Sequence, residues 1–321
     1  MHEAKIKPIK NETLRQLVTI DEKKMSQYNF KPADCIQDFF TALKLVQDVY
    51  IEEGYVNAQE ISCPCRILKN HLFDKTAVFI GKKNKKLIFT ASLFPDSPDK
   101  LPMDTIFGKE LDLLRAQGRR IGEVGCLATH PDIRDGSQNT LMQGNKILFK
   151  YAKEHLHLDD LVITVNPKHA PVYKQLLLFD DLGNGKVKAY PKVNKNPAVA
   201  LRVNLRKVEE AFMQRYGNNT PETNLHHFFF VKKSPLIQLP ANNTLVANPF
   251  VRFFTPPIRT DQHKPLSIQP DVVGEYIVPQ HSVQQYPMPF HTNPDDSLDI
   301  KWLSEDMFNR KFMPLHGGMN V

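Results

Sequence analysis

The chain is short of cysteine, of long apolar runs and of concentrated positive charge, and each shortage removes a class of function. Four cysteines in 321 residues, Cys35, Cys63, Cys65 and Cys126, are too few and too irregularly spaced for a disulfide framework, so thiols are expected. Cys63-Pro64-Cys65 with His71 nearby offers half of a zinc ligand set. No second pair follows, so the segment reads as a strand-edge turn and no metal is expected. No apolar stretch approaches the ~18–20 residues that span a bilayer, and the lysine-bearing N-terminus lacks a hydrophobic signal core. A cytoplasmic location without a transmembrane segment is the expectation. The net charge of +7 is moderate, and its lysines are not interleaved with aromatics in a stripe, so nucleic acid is not an expected partner. Such a balance suits an acidic partner or a phosphorylated ligand.

What is present is a chain long enough for one or two units. Residues 1–35 are charged and weakly patterned, a short helix or an arm. Ile36, Phe39, Phe40, Leu43, Leu45, Val46 and Tyr50 fall at helical spacing and predict an amphipathic helix ending near Gly54. Ala77–Ile80 and Lys86–Leu93 read as a hairpin joined by the lysine-rich loop Gly81–Lys85. A helix over Phe107–Gln117 closes at Gly118. Further helices are predicted over Thr140–His155 and His169–Leu178. The all-apolar run Leu161–Val165 reads as a strand buried on both faces, and a strand pair is expected around Ala198–Val203. The result is a mixed α/β sheet, neither all-parallel nor all-antiparallel. Of 24 prolines, 13 lie beyond Arg206, which places a boundary there. Thr220-Pro221-Glu222 and Ser304-Glu305-Asp306 read as helix starts within that extension.

The stretch from Arg119 to Asn139 organises the rest. It reads as a strand, Ile121 to Ala128, carrying the single charge Glu123, then a turn bracketed by Pro131 and Gly136, then a helix start. Ser137, Gln138 and Asn139 are placed to present the free amides of a helix N-terminus, which bind anions.

Several blocks then carry a family signature: Ile51-Glu52-Glu53-Gly54-Tyr55-Val56, Thr76–Gly81, Leu101-Pro102-Met103-Asp104, Leu114–Arg120 with Glu123, and Val165–Tyr173. In this order they resemble the N-acyl amino acid synthases of the FeeM type, relatives of the acyl-homoserine-lactone synthases within the GNAT acyltransferase superfamily. The resemblance covers roughly residues 37–205. It implies three segments: an arm (1–35), a GNAT-like domain (36–205) with a mixed central sheet flanked by helices, and a Pro-rich extension (206–321) of unassigned role.

The resemblance also implies transfer of a long acyl group from acyl-carrier protein, through its phosphopantetheine arm, to the α-amine of an amino acid. No permanently bound cofactor is implied; the acyl-phosphopantetheine is a co-substrate. In such folds the thioester lies in a splay between two central strands, here Glu123–Thr129 and Leu161–Val165. Gly125, Cys126 and Leu127 would supply amides near the reacting carbonyl. Arg134, Gly136, Ser137, Gln138 and Asn139 would hold the phosphate. The single glycine in Arg134–Asn139, where the superfamily turn has two, disfavours coenzyme A and favours a carrier-protein donor.

Glu123 would be the base that deprotonates the amine, or else an ion-pair partner of Arg119 or Arg120. Tyr173 would protonate the leaving thiolate, or simply pack. Asn166 would bind the pantetheine amide, or cap the next helix. Arg119 and Arg120 are the candidates for the acceptor carboxylate. Phe79, Phe89 and Leu93 line an acyl channel or the ordinary core. Lys82–Lys86, or Lys146 and Lys150, would dock the acidic carrier. The competing readings are another GNAT enzyme (an acyl-CoA N-acetyltransferase or a lactone-type signal synthase) and an inactive fold that binds acyl chains or partners.

Overall fold

Short apolar segments flanked by polar turns satisfy their backbones best in a sheet covered on both sides, and that is the arrangement found. The computed structural model describes residues 18–21, 25–61, 63–133, 139–241, 244–254, 290–292 and 297–300. In chain order the elements are β1 (Tyr28–Pro32), α1 (Ile36–Glu52), β2 (Ala77–Lys83), β3 (Lys86–Pro95), α2 (Asp104–Ala116), β4 (Ile121–Thr129), α3 (Asn139–Glu154), β5 (Asp160–Val165), α4 (Ala170–Leu176), β6 (Asp180–Asp181), β7 (Lys188–Tyr190), β8 (Asn196–Asn204), α5 (Val208–Tyr216), α6 (Pro249–Phe254), β9 (Phe290–Thr292) and β10 (Leu298–Ile300).

Among the described residues the main sheet runs β1-β2-β3-β4-β5-β8-β6, with β7 added on β8. Its neighbours are antiparallel except β4 and β5, which are parallel. The fold is thus a mixed α/β sheet with helices on both faces, as the patterning predicts. Alternation along β2 sends Ala77 and Phe79 to one core and Val78 and Ile80 to the other. The first core is closed by α3 and α5, the second by α1 and α2. Phe79, Phe89 and Leu93 are fully buried in the first core, so of the two readings for them the packing one holds.

The expected hairpin turns through Asn84 and Lys85, both at positive φ (48° and 72°), the geometry a two-residue loop needs to match strand twist. Gly118 closes α2 at φ +67°, as its position predicts.

Three expectations need correction. Part of the N-terminal arm is the edge strand β1, whose burial alternates residue by residue along Tyr-Asn-Phe-Lys-Pro; five residues give too short a pattern to separate from a coil. No α-helix starts at Thr220. That segment turns, and a widened helical turn over His227–Val231 follows, with the Lys232 N–H donating back to the His227 carbonyl at 2.8 Å. Phe228 and Phe229 are anchored in the core there, and their packing overrides the N-cap signal. The predicted helix at Ser304 lies outside the described residues.

The extension is also part of the core. Phe212 is fully buried, and the Tyr216 hydroxyl donates to the carbonyls of Gln175 and Leu176 at 3.0 Å. Phe250 stacks on Phe39 with ring centroids 5.3 Å apart, a burial that stabilises by ~1.5–3 kcal/mol. Asn248 Nδ2 donates to the His71 and Phe73 carbonyls, and the Leu298 N–H to Ile67. The later chain therefore braces the segment from Cys63 to Phe73. In that segment Cys65 Sγ donates to the Phe40 carbonyl, while the His71 ring accepts from the Leu68 N–H and meets Ser92 Oγ. All four cysteines are free thiols.

Candidate active site

Two irregularities open the middle of the sheet. The parallel ladder of β4 and β5 ends at the pair Val124–Ile163, although β4 continues to Thr129 and β5 to Val165. A gap therefore opens between strands whose backbone groups are no longer paired with each other. On the other side of β4, Thr90 pairs with Ala128 and Ser92 with Gly125, so Ala91 faces two residues, Cys126 and Leu127. This is a β-bulge, and Cys126 takes the left-handed conformation at φ 47°. The bulge slips the alternation by one position. Ile121 before it and Cys126 and Ala128 after it face the same core, so Glu123 shares their side of the sheet.

A cavity of about 500 Å³ fills the gap, within the ~300–1,000 Å³ usual for ligand sites. Its walls come from Glu123–Thr129 of β4, Ile163–Asn166 at the end of β5, the C-terminus of α1, the start of α3, Val172 and Tyr173 of α4, and the segment Tyr190–Ala198. The lining includes Thr140 and Leu141 at the head of α3 as well as Glu123, Tyr190 and Lys192. Six residue steps of β4 separate Glu123 from Thr129, about 20 Å of strand.

Glu123 is 3% exposed. Burial raises its carboxyl from the ordinary 4.5 to about 8, against the opposing pull of the Met103 N–H, which donates to Oε2 at 2.8 Å, and of Lys192. Its proton affinity thereby comes close to that of a peptide α-amine, near ~8. Burial also pushes the Cys126 thiol and the Tyr173 hydroxyl each up to about 12. Tyr50 and Tyr190 rise for the same reason.

The structure brings together Glu123, Gly125, Cys126, Leu127, Asn166 and Tyr173 from the sequence-predicted set: all line the cavity. Asn166 also accepts from the Lys168 N–H at 3.1 Å, a local turn ahead of α4, whose N-cap is His169 and has no side-chain cap; of its two readings the capping one does not hold. It does not bring Arg119 and Arg120 there. Arg119 holds Asp160, with Nη2 to Oδ1 at 2.8 Å, and Asn204; Arg120 holds Asp159. Neither lines the cavity or pairs with Glu123, because buried aspartates at the start of β5 capture both. Asn139 begins α3 and accepts from the Asp21 N–H at 3.4 Å, outside the cavity lining. Arg134, Gly136, Ser137 and Gln138 lie outside the described residues. Of the basic candidates, Lys82 pairs with Asp38, Lys86 with Asp132 and Lys150 with Glu154. Lys146 is buried, donating to the Lys232 carbonyl with its ammonium over Phe228.

The sequence reading missed Arg66 and Lys192, both 4% exposed and both in the cavity wall. Arg66 Nη2 donates to the Lys192 carbonyl across 126 residues of chain. No local motif signals such a pair; only the closed sheet brings it together.

A family model for N-acyl amino acid synthase FeeM matches residues 41–204, just over half of the chain. A solved structure of FeeM, an N-acyl amino acid synthase from uncultured soil microbes, is 24% identical, covers 57% of this chain and 93% of its own, and superposes with a TM-score of 0.50. BjaI, a CoA-dependent acyl-homoserine lactone synthase, is 14% identical over 60% of this chain and 91% of its own, with a TM-score of 0.42. An N-acetyltransferase from Staphylococcus aureus Mu50 is 15% identical over 56% and 98%, with a TM-score of 0.36. Among curated proteins no sequence matches. The described residues contain no helix long and apolar enough to cross a membrane. The family match spans the strands and helices that enclose the cavity, and the chain accordingly belongs to the FeeM-type N-acyl amino acid synthases, a family of acyltransferases.

Proposed function

We propose that this acyltransferase moves a long acyl chain from the phosphopantetheine thioester of an acyl-carrier protein to the α-amine of an amino acid, with Glu123 as base and Tyr173 as acid. The observation that carries the reading is a single buried carboxyl of raised proton affinity beside the opened strand pair.

The acceptor enters as an ammonium and passes one proton, directly or through water, to Glu123 in its ionised form, a form that the raised value makes available at neutral to mildly alkaline pH. The freed nitrogen attacks the thioester carbonyl. The C–N bond forms, and the oxygen takes negative charge that amides at the Gly125–Leu127 bulge are positioned to stabilise. As the C–S bond breaks, the sulfur takes a proton from Tyr173; the surplus proton on nitrogen restores the Tyr173 phenolate, and Glu123 returns its own proton to solvent. One thioester and one ammonium give one amide, one thiol and one released proton. Tyr173 at about 12 would be a poor donor to a thiolate in water, near ~8.5. Burial raises the Cys126 thiol as it raises Tyr173; the same exclusion of water makes a thiolate formed here more basic than in water and a better acceptor of the tyrosine proton. The same shift leaves Cys126 protonated, which supports direct transfer rather than an acyl-cysteine intermediate. The single-glycine turn supports a carrier-protein donor over coenzyme A.

The test is product formation by the purified protein, given long-chain acyl-carrier protein or the matching acyl-CoA together with a mixture of amino acids. N-acyl amino acids by mass spectrometry are expected, faster with the carrier protein. Glu123→Gln should lower the rate by about 10²–10⁴-fold while still binding donor. Equal rates would remove Glu123 from the chemistry, and an absence of product with either donor would leave the binding-module reading.

A further inference from the structure

Charged groups buried in a cavity wall are costly, and their positions indicate what the cavity is shaped to receive. The described residues of the lining include two cations, Arg66 and Lys192, both buried, and two carboxyls, the buried Glu123 and the half-buried Glu53, which Lys168 meets at 3.0 Å. Two buried cations in one wall favour a ligand that carries negative charge there.

The two cations are held by different parts of the fold. Arg66 sits in the segment braced by the extension; its N–H donates to the Leu43 carbonyl at 3.1 Å, and its guanidinium lies 5.6 Å from the centre of the Tyr50 ring. Lys192 sits in the short helical turn Pro191–Val193, stopped by Asn194 in the left-handed conformation at φ 52°. Asn196 Nδ2 ties that turn to the Val193 and Gly54 carbonyls at 2.9 and 3.1 Å. The Arg66–Lys192 hydrogen bond then joins the two anchors into one unit.

We infer that Arg66 and Lys192 form the subsite for the acceptor's α-carboxylate, so that the enzyme selects amino acids over amines that lack this group. The inference rests on the proposed N-acyl transfer and names the acceptor-binding residues for it. In a zwitterionic amino acid the ammonium and the carboxylate sit on one carbon. Arg66, Lys192, Glu123 and Cys126 line the same cavity of about 500 Å³, so the unit and the base face one bound ligand. The donor's phosphate belongs beside Thr140 and the head of α3, about 20 Å along β4. A guanidinium with an ammonium beside it presents the several donors a carboxylate accepts. Arg119 and Arg120, the arginines that sequence proximity suggests, are held by aspartates instead.

The experiment compares each accepted standard amino acid with its α-carboxamide, which keeps the amine and side chain but removes the negative charge. The wild type should prefer the acid by at least about 100-fold in kcat/KM, since a site built to bind a charged group rejects the analogue without it. In Lys192→Met the KM for the amino acid should rise by about 10–100-fold, and the preference should shrink by the same factor. Lys192→Arg, which keeps the charge, should restore most of it. Arg66→Met should act in the same direction; because it also frees the Lys192 carbonyl, its melting temperature is measured in parallel, and Lys192→Met decides if it is misfolded. A wild type indifferent to the carboxamide would overturn the inference, as would a rise in KM confined to the acyl donor. Absence of N-acyl product from wild type with any acceptor would instead sink the proposed reaction, which keeps the two failures distinguishable.

Discussion

Near the start of β4 and its partner β5, two sites a few residues apart hold buried carboxyls in opposite electrostatic settings. At the start of β5 Asp160 is fully buried, and Arg119 and Arg202 both bond to it. Beside it, burial would raise the Asp159 carboxyl, but hydrogen bonds from Arg206 and Arg120 together hold it below the usual carboxylate range. Two residues past Ile121, Glu123 accepts one backbone N–H, with no arginine bonded to it among the described contacts, and burial dominates. The difference teaches that burial alone does not decide charge. Partners do, and the carboxyl left able to exchange a proton near neutrality is the one facing a cavity.

Three measurements would break or sharpen that contrast. At a single fixed pH the largest effect is expected for Asp160→Asn, which strands two arginines at the start of the β4–β5 pair. It should cost about 3 kcal/mol in urea denaturation, the low end of the range for breaking a buried pair because Arg202 reaches solvent. Activity per folded molecule should persist; a rate loss at unchanged stability would mean that this end, too, serves chemistry.

The second measurement reads Glu123 through pH. Its folded-state value lies above the ordinary one, so the folded protein binds the proton more tightly. The stability this contributes is complete below about 4.5 and is lost as pH rises toward about 8. Relative to Glu123→Gln, the wild type should lose up to about 1.4 kcal/mol per pH unit across that window. Parallel stability curves for the two proteins would show an ordinary carboxylate instead.

The smallest effect is expected for Arg120→Ala. This side chain is 59% exposed and meets Asp159 at 3.4 Å. The loss should stay below about 1 kcal/mol, and the acceptor KM should not change. A raised KM would return Arg120 to the acceptor site.

Elements whose information is local could be read before folding. The helix of α1, the hairpin Ala77–Pro95, the strand of Glu123 and the two-faced run Leu161–Val165 each carry their period in adjacent residues. Glu123 stood out because it is the one charge within an apolar run. The edge strand β1 and the helical turn at His227 did not, since five alternating residues and an N-cap motif are weak beside the packing of Phe30 and Phe228. Arg119 and Arg120 are close to Glu123 in sequence, yet neither lines the cavity. Where they point is set by Asp159 and Asp160, some 40 residues later.

The sequence by itself determined the sheet's main elements, the strand bearing the base and the family resemblance, because hydrophobic period and ordered motifs are properties of neighbouring residues. Only the tertiary structure decided which charges meet. Pairing Arg66 with Lys192, neutralising Arg119 with Asp160 and lifting Glu123 toward neutrality all depend on how far water is excluded and which distant side chain fills the space. Those are consequences of closing the sheet, and no local pattern encodes them.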